Sequence, residues 1–170
     1  MESKGYEIFR FQDIVAQGGA IARCGMILPE NIGEVDAEIL HEAFMLFSEY
    51  EKTHPVPAAN LRTFALIAFA DGHFDMTLSE SAIGESTTLA LIDLHRLHRQ
   101  KSPITRVAVV LEELCHGIYM VPDEHDVKRL VIQMINQKYP LHRLHHLYPK
   151  MFLPTGESID PNTGALLSSS

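Results

Sequence analysis

Between Val107 and His116 the chain reads VAVVLEELCH, five apolar residues running straight into a pair of carboxylates. Pro103, a residue suited to the first turn of a helix, opens the segment. Val107, Val110, Leu111, Leu114, Cys115 and Ile118 recur at three- and four-residue spacing, which predicts a helix. Gly117 stands near its expected end and Pro122 lies beyond it. So apolar a helix belongs in a core, and ionised groups on it need partners or a cleft. Any fold for this chain must bury Val107–Leu111 while giving Glu112, Glu113 and His116 polar surroundings.

The other elements follow from the same rules. Val35, Ile39, Leu40, Ala43, Phe44, Leu46 and Phe47 predict a helix over Glu34–Lys52. Acidic residues crowd its first turn, where the helix dipole favours them, and His54-Pro55 and Pro57 stop it. Asp123 suits an N-cap for a helix running to Lys138, with Val127, Leu130, Val131, Met134 and Ile135 on its buried side. Arg62–Ala70 (RTFALIAFA) is short, continuous and apolar, so it predicts a buried strand. Asp71-Gly72 suits a hairpin turn, with His73–Leu78 as the return strand. Ser86–Leu94 (STTLALIDL) reads as a strand first, with helical character open as far as His98. A short helix over Asp13–Ala22, weakened by Gly18-Gly19, and a last turn or helix over Leu141–Tyr148 complete the reading. Strands clustered between helices imply an α+β domain with a mostly antiparallel or mixed central sheet. Its helices are an N-terminal one, the Glu112 helix and the one that follows. At 170 residues, 46% of them hydrophobic, the chain suits one domain over 1–153. Residues 154–170, rich in Gly, Pro, Ser and Thr, read as an irregular tail.

A net charge of −8 weighs against nonspecific nucleic-acid binding. The apolar runs fall well short of the roughly 20 residues a membrane helix needs, and MESKGYEIFRFQ lacks a signal-peptide core. A cytoplasmic protein without membrane or nucleic-acid partners is therefore expected. Cys24 and Cys115 form no CxxC pair and read as buried reduced thiols. There is no Gly-x-Ser-x-Gly elbow, and Gly18-Gly19 lacks the Lys-Ser/Thr of a phosphate loop.

Glu112 and His116 are four residues apart and share one helix face, with Glu113 beside it. In a His-Glu-x-x-His helix the two histidines hold zinc and the glutamate polarises the bound water. Here the motif reads Glu112-Glu113-Leu114-Cys115-His116, and eight residues beyond His116 stands Glu124, in Asp123-Glu124-His125-Asp126. The segment resembles a small zincin-type metallopeptidase, in which a second helix supplies a glutamate ligand. That resemblance covers roughly Glu34–Lys138, and its specific part is short. It implies a zincin-like fold and a peptidase-like, metal-dependent hydrolase. Glu112, His116 and Glu124 (or His125) would bind zinc or another divalent metal such as manganese or iron. Glu113 would be the catalytic general base, and Asp126 would stand behind the ligands, orienting His116. It further implies that STTLALIDL is an edge strand on which a substrate peptide lies. The chain departs from the family at Glu112, where a histidine is expected. A carboxylate is a legitimate zinc ligand, but a harder one that shifts preference toward manganese or iron. Two other readings stay open. In one, the module is catalytically inactive, holds no metal and binds a protein or peptide. In the other, the chain is an unrelated helical-core structural protein.

Ten histidines are present. His95 and His98 in HRLHR read as part of a solvated basic patch. His142, His145 and His146 form an i, i+3, i+4 set that would reach the Glu112 face only if the C-terminal segment folded back. Oligomeric state is not specified by any of these features.

Overall fold

A computed structural model describes residues 6–10, 24–30, 32–56, 63–70, 87–100, 102–140, 147–148, 158–159 and 166–167. Its elements run β1 (Tyr6–Arg10), β2 (Cys24–Pro29), α1 (Glu34–Thr53), β3 (Thr63–Phe69), β4 (Thr87–Asp93), α2 (Leu94–His98), α3 (Pro103–Leu114), a π-helical turn (Cys115–Tyr119), α4 (Glu124–Lys138), and the two-residue strands β5 (Ser158–Ile159) and β6 (Leu166–Leu167).

Sequence spacing places the three long helices well. In α1 the buried side comprises Ile39, Leu40, Ala43, Phe44, Leu46, Phe47 and Tyr50, and the helix ends as Pro55 approaches. Helix α3 begins where the Ser102 side chain accepts from the Thr105 amide and Pro103 fills the first turn. Helix α4 begins where Asp123 accepts from the His125 and Asp126 amides. STTLALIDL holds both of its readings in succession: the strand ends at Asp93, whose side chain accepts from the Arg96 amide and starts α2.

The sheet corrects the expected architecture. Its order is β1-β2-β3-β4. β2 runs parallel to β3, and β3 runs parallel to β4 over its whole length, from Thr63↔Thr87 to Phe69↔Asp93. Only β1 is antiparallel, paired to β2. The sheet expected from the zincin-like reading is therefore overturned in its strand directions, since three of its four strands run parallel, although the class remains roughly α+β. The physical reason lies in β3. Leu66, Ile67 and Ala68 are consecutive and all essentially fully buried, so both faces of the strand are covered. Continuous rather than alternating burial is the mark of a parallel strand inside a sheet. A hairpin partner after Asp71-Gly72 is not what pairs with β3 on its β4 side. The proposed return strand His73–Leu78 lies outside the described residues, as do the expected helix Asp13–Ala22 and most of Leu141–Tyr148.

One face of the sheet carries the core. Cys24, Met26 and Leu28 of β2, Phe64, Leu66 and Ala68 of β3, and Ala90 and Ile92 of β4 join one cluster with α1, α3 and α4. Val107, Ala108, Val110, Leu111 and Leu114 are all buried in it, so α3 is the central helix the sequence requires. Both cysteines are buried and free, and burial raises the Cys24 thiol to about 12. Among the described residues no helix is long and apolar enough to cross a membrane.

Candidate functional site

The polar residues of the α3 segment sit where that helix changes pitch. After Leu114 the backbone widens into the π-helical turn, which carries Cys115, His116 and Gly117. Its cause is visible at Gly117: a Cβ there would collide with the Phe64 ring of β3, so only glycine lets the turn press against the sheet. Met120 then adopts a left-handed conformation (φ 57°, ψ 36°) and reverses the chain. The reversal brings the Val121 carbonyl to 2.8 Å from His116 Nδ1, and the first turn of α4 alongside it.

That one hydrogen bond orients the ring. A carbonyl only accepts, so Nδ1 carries a proton and Nε2 points away from it. His116 Nε2 lies 3.2 Å from Glu124 Oε1. Glu124 Oε2 accepts from Lys128 Nζ at 2.6 Å, and Lys128 and His116 together hold the Glu124 carboxyl below its usual range. A doubly protonated His116 ring makes the Glu124 contact an ion pair. A neutral ring leaves two lone pairs facing one another, which a shared cation would satisfy.

Glu112 and Glu113 flank this pair. Burial is the largest influence on both carboxyls and raises them. For Glu112 the rise is opposed by Tyr148 and Lys128 and reinforced by Glu124 and Glu113. The Tyr148 hydroxyl is buried beside Glu112, near enough to interact but without a hydrogen bond of good geometry. Lys128 Nζ also stands 5.7 Å from the centre of the Tyr148 ring. For Glu113 the rise is opposed by His116 and reinforced by Glu124.

Of the residues the sequence singled out, the structure therefore brings Glu112, Glu113, His116 and Glu124 into one cluster. It leaves two outside. His125 is exposed on the first turn of α4, and its place in the structure is fixed through its backbone amide to Asp123. Asp126 is exposed and paired with Arg129 at 3.1 Å, so the residue that orients His116 is the Val121 carbonyl instead. Sequence reasoning missed Lys128 and Tyr148. Lys128 had a signal, since it follows Glu124 by four residues on a helix. Tyr148 had none, because its approach depends on the path of the C-terminal segment. His142, His145 and His146 lie outside the described residues. Of the HRLHR histidines, His95 is exposed, and His98 bonds through Nε2 to the buried Asp36 of α1 at 2.6 Å.

The donor set can be tested against a metal. A catalytic zinc takes three protein ligands. His116 and Glu124 supply two converging donors of suitable chemistry. Glu112, the third expected donor, faces Tyr148 and Lys128. Among the described residues no three His, Cys, Asp or Glu side chains converge closely enough to hold a metal ion. The described side chains thus offer two converging donors rather than the three of a catalytic zinc centre.

Glu113 has a second neighbourhood. A cavity of about 180 Å³ lies where the C-terminal end of β4 meets α2 and α3, and Glu113 lines it with Leu91, Asp93, Arg96, Leu97 and Val109. Among the described residues β4 is paired only with β3 and stands last in the strand order. Leu89 and Leu91 of β4 are 41% and 49% exposed, unusual for leucines in a strand of this core. A larger groove of about 650 Å³ runs between α1 and the opposite, N-terminal half of α3, lined by Val35, Ile39, Ile104, Val107 and Tyr139. It is mostly apolar, and its Glu42 carboxylate is taken up by Lys138 and Tyr139. The smaller cavity is the one that joins β4 to a carboxyl raised by burial, that of Glu113.

Comparison with family models, with curated proteins and with solved structures finds no match.

Proposed function

We propose that this chain is a peptide-binding module whose receptor element is the outer edge of β4. The observation that carries this reading is the cavity at the end of β4, where an outer strand with two exposed leucines meets a helix bearing Glu113. An extended peptide laid beside β4 would take main-chain hydrogen bonds from it and place alternate side chains toward the Leu89 and Leu91 face and the cavity. Affinity would come from the backbone ladder and selectivity from the cavity. The polar cluster of Glu112, His116, Glu124 and Lys128 would then fix the π-helical turn and the start of α4 against α3.

A second reading is supported by a different observation. Glu113 has a carboxyl raised by burial and under the electrostatic influence of His116 and Glu124, an environment suited to general-base work. On that reading the module is a peptidase-like hydrolase in which Glu113 takes the proton of a water attacking an amide held on β4. The metal dependence expected from the sequence would rest on His116 and Glu124 alone.

One experiment separates them. Fluorescein-labelled octapeptides of varied sequence are titrated with purified protein, followed by anisotropy, and the mixtures are then analysed by mass spectrometry with added zinc, manganese or iron. Binding that Leu91→Arg weakens by ten-fold or more supports the module, since Leu91 is exposed and its substitution spares the core. Failure of every peptide to bind sinks both readings. Cleavage products that vanish in Glu113→Gln favour the hydrolase.

A further inference from the structure

The cavity at the end of β4 is lined by two carboxyls, of which only one has a hydrogen-bond partner among the described residues. Asp93 is fully engaged: Oδ1 accepts from the Arg96 amide at 3.2 Å, and Oδ2 pairs with Arg96 Nε at 3.2 Å. Asp93 and Arg96 thereby cancel one another at the rim. Glu113 has no hydrogen bond or ion pair among the described residues, although it is half-buried. Leu91, Ile92, Leu97 and Val109 give the cavity apolar walls, and Gln100 adds one neutral amide.

We propose that this cavity selects a basic side chain, arginine or lysine, from a peptide docked on β4. The inference rests on the peptide-binding reading and deepens it. Long basic side chains have the chemistry the cavity asks for, because their apolar stems lie along hydrophobic walls while the charged head seeks an oxygen partner. The stem covers Leu91, Leu97 and Val109, and the head meets the Glu113 carboxylate in a charge-assisted hydrogen bond. A purely apolar side chain would fill the walls and leave the Glu113 carboxylate desolvated without a hydrogen-bond donor. An acidic side chain would meet a like charge. Either cation satisfies Glu113, and arginine gains from a planar fork that engages both carboxylate oxygens.

The test uses four fluorescein-labelled octapeptides that differ at one position only, carrying arginine, lysine, norleucine or glutamate. A charge-assisted hydrogen bond of ordinary strength corresponds to a preference of about ten-fold or more. The arginine and lysine peptides are expected to bind the wild-type protein about ten-fold more tightly than the norleucine peptide, with the glutamate peptide weakest. In Glu113→Gln the spread between arginine and norleucine is expected to shrink to within about two-fold. Equal binding of the arginine and norleucine peptides to wild type overturns the proposal, as does a basic preference that survives Glu113→Gln. The ligand series needs no variant, so it stands even if the substituted protein folds poorly. If peptides bind β4 without regard to charge, the cavity proposal fails while the peptide-binding reading remains; if none of the four binds, the peptide-binding reading itself fails.

Discussion

Gly117 is the residue on which the site geometry turns. The π-helical turn can press on β3 only because position 117 has no Cβ to meet the Phe64 ring. The turn in turn aims His116 at Glu124. Gly117→Ala forces that ring or the turn to move, an overpacking that typically costs about 1–3 kcal/mol. Chemical denaturation is expected to show a loss of that size. An unchanged midpoint would mean that Phe64 moves aside without cost. His116 itself was legible in the sequence as a residue of the α3 face. Its orienting partner was not, because the Val121 carbonyl reaches it only through the left-handed Met120, and a methionine gives no sign of that conformation. Glu112 was read as a histidine's substitute, yet its surroundings are a phenol and an ammonium group supplied by Tyr148 and Lys128.

At the scale of elements, the helices were written plainly in three- and four-residue spacing and in their caps. The sheet was not. A short apolar run such as TFALIAF states that it is buried but not which neighbour it pairs with, and Asp71-Gly72 offered a local partner that competed with the distant one. β3 instead takes β4, eighteen or more residues further on in the chain, a pairing decided by burial of both faces of the strand. The contact between α3, α4 and the Tyr148 segment carries a pH signature. Burial raises the Glu112 and Glu113 carboxyls in the folded chain above their unfolded values, near 4.3. Between those values the folded state holds more protons than the unfolded one. Each group's burial penalty is thus absent below the unfolded value and grows as pH rises through the folded one. Glu124 has the opposite sign, since its carboxyl is lowered chiefly by Lys128, and its contribution is lost as pH falls. Glu112→Gln removes one of the penalties. It is expected to raise the melting temperature at pH 7 and to lose that advantage near pH 4. A melting temperature lower than wild type at pH 7 would show that the Tyr148 and Lys128 interactions outweigh burial.

Across the whole molecule, the proposed peptide binding depends on β4 being the outermost described strand. Helices α1, α3 and α4 cover one face, and β4 stands outermost among the described strands, its end opening into the cavity that Glu113 lines. The zincin resemblance implied a peptide-receiving strand at STTLALIDL and a general base at Glu113, without placing them together. Their common cavity lining appears only in three dimensions, since Leu91 and Glu113 are separated by α2 and most of α3. The most direct measurement of the central claim is amide hydrogen exchange over residues 87–93, with and without saturating arginine octapeptide. Edge docking predicts that β4 amides not bonded to β3 exchange markedly more slowly when the peptide is present, and that Leu91→Arg abolishes the effect. Unchanged exchange in β4, or protection confined to the groove at Val35, Ile104 and Tyr139, would contradict it.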